Sequence, residues 1–396
     1  MNLLRAFSQK MSVLKAIALS LLDRAPEAFT RAPLLAVGAP SPEALLASAE
    51  DELQAYVAGG CYAHARPVDL GDACIWQGVY TAMCVHRWRV TRTEDARLLM
   101  VEAAAALSKY VRRGVLHRGA VPAALVGALY TKDHTKVYVE EDGYVYEDDA
   151  SLDSLLGFSY GAASVLTHGD DGSRHALTAS LRDLSARFVQ DGHRLVRRDG
   201  SPTKYGDCRP GFFQAPVRIL AACLPPLLSD HGTLWRPIAQ RYGPEFAAPD
   251  TQVPGKPSWV NAHLAMLAAL AYVTMTKDGD PGRSDARRGL RTLLDKYAAT
   301  GNAFLVFGCR AARVPISGEE EDLAEKALSE FPLRKSHVQQ APANTQPTPI
   351  HLRPRADVVW QRNPYEQGER WDEAEDPTRY NRMDFLLAYY LSKGFI

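Results

Sequence analysis

The apolar residues of this chain recur with the period of an α-helix along most of its length. Thr93 can cap a helix whose first turn holds Glu94 and Asp95, whose apolar face includes Val101, and which Gly114 follows. The same reasoning predicts about twelve helices. They lie near residues 43–58, 73–88, 94–112, 153–167, 174–191, 211–228, 233–242, 259–275, 283–299, 302–312, 318–330 and 383–393.

Alternate helices in this series differ in polarity. The second, fourth, sixth, eighth, tenth and twelfth are apolar on nearly every side, as in 211–228 and 259–275, whereas the others carry a charged face. A helix that is apolar all round has to be buried all round. The pattern therefore predicts an all-α chain of six helical pairs, with six inner helices inside a ring of six outer ones.

The connections divide in the same way. Links from a buried helix to the next exposed one are short, whereas most links from an exposed helix to a buried one are long, including 113–152 and 192–210. Because the pairs alternate in direction, the long links gather at the N-terminal ends of the inner helices. In the longest early link, residues 136–140 and 144–147 flank Asp142-Gly143 and predict a small β-hairpin.

Composition narrows the classes of protein. The chain has 396 residues, of which 46% are apolar and 23% charged, so it can bury a sizeable core. Its 46 Lys and Arg residues balance 46 Asp and Glu residues, and no basic stripe suggests a nucleic-acid partner. No apolar run approaches the length of a membrane span. Neither a zinc-ligand pattern nor a nucleotide-binding glycine loop occurs, so no cofactor is predicted.

The N-terminal segment is predicted to differ from the rest. Residues 1–42 include basic positions before the apolar run 16–22 and are interpreted as an amphipathic docking segment, the alternative being an export signal, for which a cleavage site is missing. Residues 43–396 are predicted to form a single domain. Six scattered cysteines without a C-x-x-C pattern favour a reduced, cytoplasmic protein.

Five short motifs fall at the predicted starts of inner helices or in long links. They are Gly71-Asp72-Ala-Cys-Ile-Trp76-Gln-Gly78, Asp153-Ser-Leu-Leu-Gly157-Phe-Ser-Tyr-Gly161, Asp199-Gly-Ser-Pro-Thr-Lys-Tyr205-Gly-Asp207, Trp360-Gln-Arg362-Asn-Pro-Tyr365, and Asp384 near Gly394-Phe395-Ile396. With the helical pattern, they make the chain resemble poorly characterised bacterial members of the (α/α)6-barrel, or six-hairpin toroid, superfamily of glycoside hydrolases and polysaccharide lyases. The resemblance implies that fold and carbohydrate as a substrate class, but no particular reaction.

The candidate site residues are expected to lie together at the N-terminal ends of the inner helices. Glycoside cleavage needs one carboxyl group as acid and a second as base or nucleophile, and aromatic rings suit sugar faces. Asp153 and Asp384 are the preferred catalytic pair, and Asp72 or Asp207 could replace either. The predicted substrate-binding residues are Trp76, Tyr205, Trp259, Trp360, Arg362 and Tyr365.

Structural alternatives exist for several of these residues. Asp72, Asp153 and Asp384 stand where helix caps are favoured, and Trp76 and Trp259 could be core residues. A lyase could use Tyr205, Tyr365 or His351 as base, with Arg362 neutralising a uronate. The segment 157–161 spells the G-x-S-x-G of serine hydrolases, but no strand pattern precedes it, so its glycines are predicted to serve helix packing.

The leading hypothesis is therefore a carbohydrate-active enzyme, a glycoside hydrolase acting on an oligo- or polysaccharide. The alternative is a non-catalytic structural or glycan-binding toroid within a larger assembly, such as a phage virion. This alternative would explain why a saccharide-related fold has neither a convincing export signal nor evident disulfides, because a virion is assembled in the cytoplasm. Self-association or an assembly partner is compatible with both hypotheses.

Overall fold

The computed structural model describes residues 42–54, 57–62, 70–123, 136–210, 216–229, 233–248, 259–330 and 383–394. Twelve α-helices lie within these residues: α1 Pro42–Gln54, α2 Ala73–Thr91, α3 Glu94–Ser108, α4 Leu152–His168, α5 Asp171–Gln190, α6 Pro216–Leu228, α7 Arg236–Tyr242, α8 Trp259–Met275, α9 Arg283–Tyr297, α10 Ala303–Ala311, α11 Gly318–Ser329 and α12 Met383–Lys393. The prediction of a mostly helical chain is confirmed. The docking segment predicted for 1–42 lies outside the described residues, apart from its last residue, which begins α1.

Local chemistry fixes several helix starts. Thr93 accepts a hydrogen bond from the first turn of α3, as its position predicts. Ser317 and Glu320 form a reciprocal capping box at α11. Helix α9 begins at Arg283, as predicted, and Gly282, in a left-handed conformation, occupies its N-cap position.

Nine short strands form small antiparallel sheets between the described helices. They are β1 Val57–Ala58, β2 Cys61–Tyr62, β3 Val111–Arg112, β4 Val115–Leu116, β5 Gly119–Pro122, β6 Val137–Val139, β7 Tyr144–Glu147, β8 Arg194–Val196 and β9 Pro202–Asp207. The predicted hairpin is β6–β7, with Val139 opposite Val145, and β5 pairs with the other edge of β7. The all-α prediction needs this correction, because strands of two to six residues are too short to give a clear alternation.

Helices α2 and α4 approach each other more closely than side chains would allow. A Cβ atom on Gly78 would collide with the backbone of Gly157, and one on Gly157 would collide with Ile75. The Cys74 thiol donates to the carbonyl oxygen of Ser154, one turn nearer both helix starts, so the two helices run parallel. The glycines of the G-x-S-x-G motif therefore lie within α4 and serve helix packing.

The six helices predicted to be buried supply much of one continuous apolar core, which extends from Leu45 to Leu391. Helix α12 packs against α2 and α10, α6 packs against α4 and α8, and α4 also contacts α8 directly. Near the C-terminal ends of α2 and α12, Arg89 donates to the carbonyl oxygen of Gly394 at 3.3 Å. The same ends of α4 and α8 meet where Thr167 lies 3.6 Å from the sulfur of Met275. Helix starts therefore gather at the opposite end of the core.

Candidate functional site

A cavity of about 340 Å³ lies at the starts of α4, α6 and α8. Its described lining comprises Arg118, Ser151, Leu152, Asp153, Tyr205, Val217, Arg218, Asn261 and Leu264. The volume is within the range of sites for small organic ligands. Asp153 and Tyr205, both predicted from the sequence as site residues, lie in this one cavity. The positive ends of three helix dipoles point toward it.

Asp153 lies in the first turn of α4, but it is not the helix cap. The side chain of Ser151 caps α4 and forms a reciprocal pair with Ser154, which leaves the carboxyl group of Asp153 for the cavity. Burial raises the pKa of Asp153, and the negative charge of Asp72 raises it further, although Arg118 and Arg218 act in the opposite direction. This carboxyl group therefore keeps its proton to a higher pH than an ordinary aspartic acid does.

Asp72 precedes the first residue of α2 and makes no side-chain capping bond. Its side chain is 55% exposed and lies 3.4 Å from the Nη2 atom of Arg118. The Nε atom of Arg118 also donates to the carbonyl oxygen of Gly71, and its own carbonyl accepts from the backbone of Cys74 at 3.0 Å. Arg118 thus holds the start of α2, and Asp72 presents a carboxylate that interacts electrostatically with Asp153.

Tyr205 and Asp207 lie on β9 and have different surroundings. The ring of Tyr205 is half-exposed at the cavity, with the Lys204 ammonium 4.9 Å from its centre. The carboxylate of Asp207 accepts hydrogen bonds from Arg209, which lower its pKa, and its carbonyl oxygen accepts from Arg218 at 2.5 Å. Asp207 therefore orders the end of β9, but it is not among the described residues that line the cavity.

Two other predicted site residues are buried elsewhere. Trp76 is only 4% exposed and packs against His263, with ring centres 6.1 Å apart, so it offers no ring to the cavity. Asp384 is also 4% exposed, and its Oδ1 atom accepts from the backbone of Phe385 at 2.9 Å within the first turn of α12. The preferred pair of Asp153 and Asp384 is not brought together in the described cavity lining; Asp72 is the carboxylate that acts on Asp153.

Four predicted substrate-binding residues cannot be placed at the cavity. Trp259 begins α8, but its side chain lies outside the described part of the structure. The other three, Trp360, Arg362 and Tyr365, belong to residues 331–382, which also lie outside it.

Sequence reasoning missed the two arginines of the cavity. Arg218 is the single charged residue in the predicted helix 211–228, and a lone charge in an otherwise apolar helix is a signal that could have identified it. Arg118 carries no comparable signal, because its contact with Gly71 joins positions 47 residues apart.

Asp149 fixes the position of the segments around the cavity. Its carboxylate accepts hydrogen bonds from Lys136 at 2.8 Å, from Arg197 at 3.0 Å and from the backbone of Lys204 at 3.0 Å. Burial opposes ionisation of Asp149, but these bonds outweigh it and lower the pKa to about 2. This one ionised group thereby holds together the start of β6, the β8–β9 hairpin and the residues preceding α4. It positions Tyr205 in the same cavity as Asp153.

Comparison with known protein families, with curated proteins and with solved structures found no match. The described residues contain no cluster of three or more His, Cys, Asp or Glu side chains able to hold a metal ion. None of the described helices is long and apolar enough to cross a membrane. All six cysteines are buried and unbonded to one another.

Proposed function

We propose that the protein is a glycoside hydrolase of oligo- or polysaccharides, with Asp153 as the general acid and Asp72 as its partner carboxylate. The observation that carries the proposal is the contrast between these two neighbouring groups. Asp153 is partly buried with a raised pKa, whereas Asp72 is exposed and ion-paired with Arg118. A carboxyl group with a raised pKa beside a second carboxyl group that is ion-paired with an arginine suits the acid and base roles.

The roles follow from the protonation states. Asp153, protonated, donates its proton to the glycosidic oxygen as the bond to the anomeric carbon breaks. The Asp72 side chain, paired with Arg118, acts at the anomeric carbon, either through a water molecule or directly as the nucleophile. Tyr205 offers a half-exposed ring for stacking on a sugar, and Asn261 offers an amide for its hydroxyl groups.

We also infer that α2, α4, α6, α8, α10 and α12 form the inner ring of an (α/α)6 toroid, with the other six helices outside. Support comes from the contacts of each of these helices with the next and of α12 with α2. The direct contact between α4 and α8 is a departure from an open ring, because it brings together helices that α6 would otherwise separate. The cavity lies above this contact, at the starts of the helices.

The test is release of reducing ends from a broad panel of polysaccharides and oligosaccharides, with products also inspected for the unsaturated sugars that a lyase would form. The variants are Asp153→Asn and Asp72→Asn. Asp171→Asn is the matched control, because Asp171 is a fully exposed carboxylate in the first turn of α5. We expect hydrolysis that falls at least about 100-fold in each site variant and is unchanged in the control.

Other outcomes decide against the proposal. Unsaturated products would identify a lyase instead. Binding of a saccharide without cleavage by the wild-type protein would favour the second hypothesis, a non-catalytic glycan-binding toroid in a larger assembly. Full activity in Asp153→Asn would remove Asp153 from the mechanism.

A further inference from the structure

The cavity carries more positive than negative charge in its described lining. Arg118 and Arg218 face Asp153, the one acidic residue among the nine that line the cavity. Asp153 is partly buried and its pKa is raised, and when it is ionised it compensates only one of the two positive charges. The starts of α4, α6 and α8 add the positive ends of their dipoles. A neutral sugar would gain no charge–charge attraction from these positive groups.

The two guanidinium groups are held in place by backbone oxygens. Arg218 donates from Nη1 to the carbonyl oxygen of Asp207, and Arg118 donates from Nε to that of Gly71. A guanidinium group has five N–H donors, so each of these bonds orients the group without using all of them. The Nη2 atom of Arg118 also lies 3.4 Å from the carboxylate of Asp72, which is the proposed partner of Asp153 in catalysis.

The geometry points to an acidic saccharide as the substrate, with Arg118 and Arg218 binding the carboxylate of a uronic acid residue in the cavity. This inference rests on the hydrolase proposed above, whose site it uses. A planar guanidinium matches a carboxylate through paired hydrogen bonds and therefore discriminates a uronate from the corresponding neutral sugar. Asp153 and the half-exposed ring of Tyr205 line the same cavity as the two arginines.

The test measures binding separately from cleavage. The probes are oligogalacturonate, oligomannuronate and hyaluronan oligosaccharides of four to six sugars, each compared with its carboxyl-reduced form, in which the linkages are kept and the charge is removed. Calorimetric titration uses the wild-type protein, Asp153→Asn and Arg218→Gln. Arg288→Gln is the control, since Arg288 lies on α9 with a side chain that is 66% exposed.

We expect at least one acidic oligosaccharide to bind, with its carboxyl-reduced form binding at least about ten-fold more weakly. Arg218→Gln should lose about ten-fold or more in affinity for the acidic form and little for the reduced form, because a charge-assisted bond is lost. Asp153→Asn, which removes a negative charge facing the two arginines, should bind the acidic probe at least as tightly as the wild-type protein does. Arg288→Gln should bind it as the wild-type protein does. Arg118→Lys, which keeps the charge, should lose affinity by a smaller factor than Arg118→Gln.

Two failures can be told apart. Specific binding of acidic probes that are never cleaved would support this inference while overturning the proposed hydrolase. Cleavage or binding of neutral probes with equal or greater affinity would overturn the inference and leave the hydrolase standing. No binding to any acidic probe, or unchanged affinity in a folded Arg218→Gln variant, would also overturn the inference.

Discussion

Gly78 of α2 and Gly157 of α4 meet backbone to backbone, and neither position has room for a Cβ atom. This contact sets the distance between the two helices and, because they run parallel, the separation of their first turns. Asp72 stands at one of these helix starts and Asp153 at the other. The proposed catalytic pair is thus placed by a packing contact one to two turns below it.

Replacing Gly157 with alanine should destabilise the protein by about 1–3 kcal/mol, because the added methyl group must push the two helix backbones apart. Gly172→Ala is the control: it is also a helical glycine, but its nearest neighbours would lie 3.6 Å or more from a new Cβ atom. That variant should be unchanged or slightly more stable. Urea unfolding of both variants tests this, and equal stability would show that α2 and α4 do not pack through Gly157.

Local patterns explain how much of this arrangement could be predicted from the sequence. The apolar run of α8 and the capping residue Thr93 of α3 involve neighbours within a turn or two, so they predict helices correctly. The small sheets involve strands of a few residues, whose alternation is too brief to detect. The convergence of Asp153 with Tyr205 could be anticipated, because both follow from where long links meet helix starts.

Contacts between distant segments could not be predicted in the same way. Arg118 joins the start of α2 from a strand boundary 47 residues away, and no periodicity reports such a pairing. Burial is a second property that local patterns do not give, as Asp384 and Trp76 show. Both were assigned to the site from residue type and position, but each is 96% buried, and burial depends on the tertiary packing around it.

Asp149→Asn should reduce stability at neutral pH by up to about 2 kcal/mol, from the shift of its pKa from 3.8 to about 2. Asparagine retains the shape and tolerates the left-handed backbone at this position, so the change removes mainly the charge. Because the folded-state pKa is lowered, the stabilisation is present above about pH 4 and lost as the pH falls toward 2.

Unfolding free energies measured from pH 7 to pH 2 check this prediction. The difference between wild-type protein and Asp149→Asn should shrink as the pH falls through that window. Asp171→Asn provides the comparison, since the Asp171 side chain is fully exposed. A constant difference between wild-type protein and Asp149→Asn at every pH would mean that the charge of Asp149 is not what stabilises the fold.

Asp153→Asn should abolish hydrolysis without lowering stability at pH 7. The pKa of Asp153 is raised in the folded state, so the folded protein binds more protons than the unfolded chain between the two pKa values. Ionisation of Asp153 therefore destabilises the fold as the pH rises through the folded-state pKa, and the neutral amide removes that cost. Thermal unfolding at pH 4 and pH 8 should show a gain in stability only at pH 8; a loss there would assign Asp153 a structural role.

Ser159→Ala should leave hydrolysis unchanged. Ser159 is fully buried inside α4, and its hydroxyl group has no hydrogen-bond partner within the described residues. Removing an unsatisfied hydroxyl group from a core is neutral or stabilising. Activity and thermal unfolding of the variant test this together, and a specific loss of activity with intact folding would revive the serine-hydrolase interpretation of the G-x-S-x-G motif.

Substitutions on either side of Asp153 should move its pKa in opposite directions. Asp72→Asn removes a negative charge that favours the protonated form, so the pKa of Asp153 should fall. Arg218→Gln removes a positive charge that favours the ionised form, so the pKa should rise. Titration of the side-chain carboxyl carbon by NMR reports both shifts without any need for activity, and Arg288→Gln, on the distant surface of α9, should cause neither.

If Asp153 is the acid, the alkaline limb of kcat/KM should move upward in Arg218→Gln by the same amount as the NMR pKa, since the limb marks loss of that proton. A limb that stays fixed while the NMR pKa moves would assign the catalytic proton to another residue.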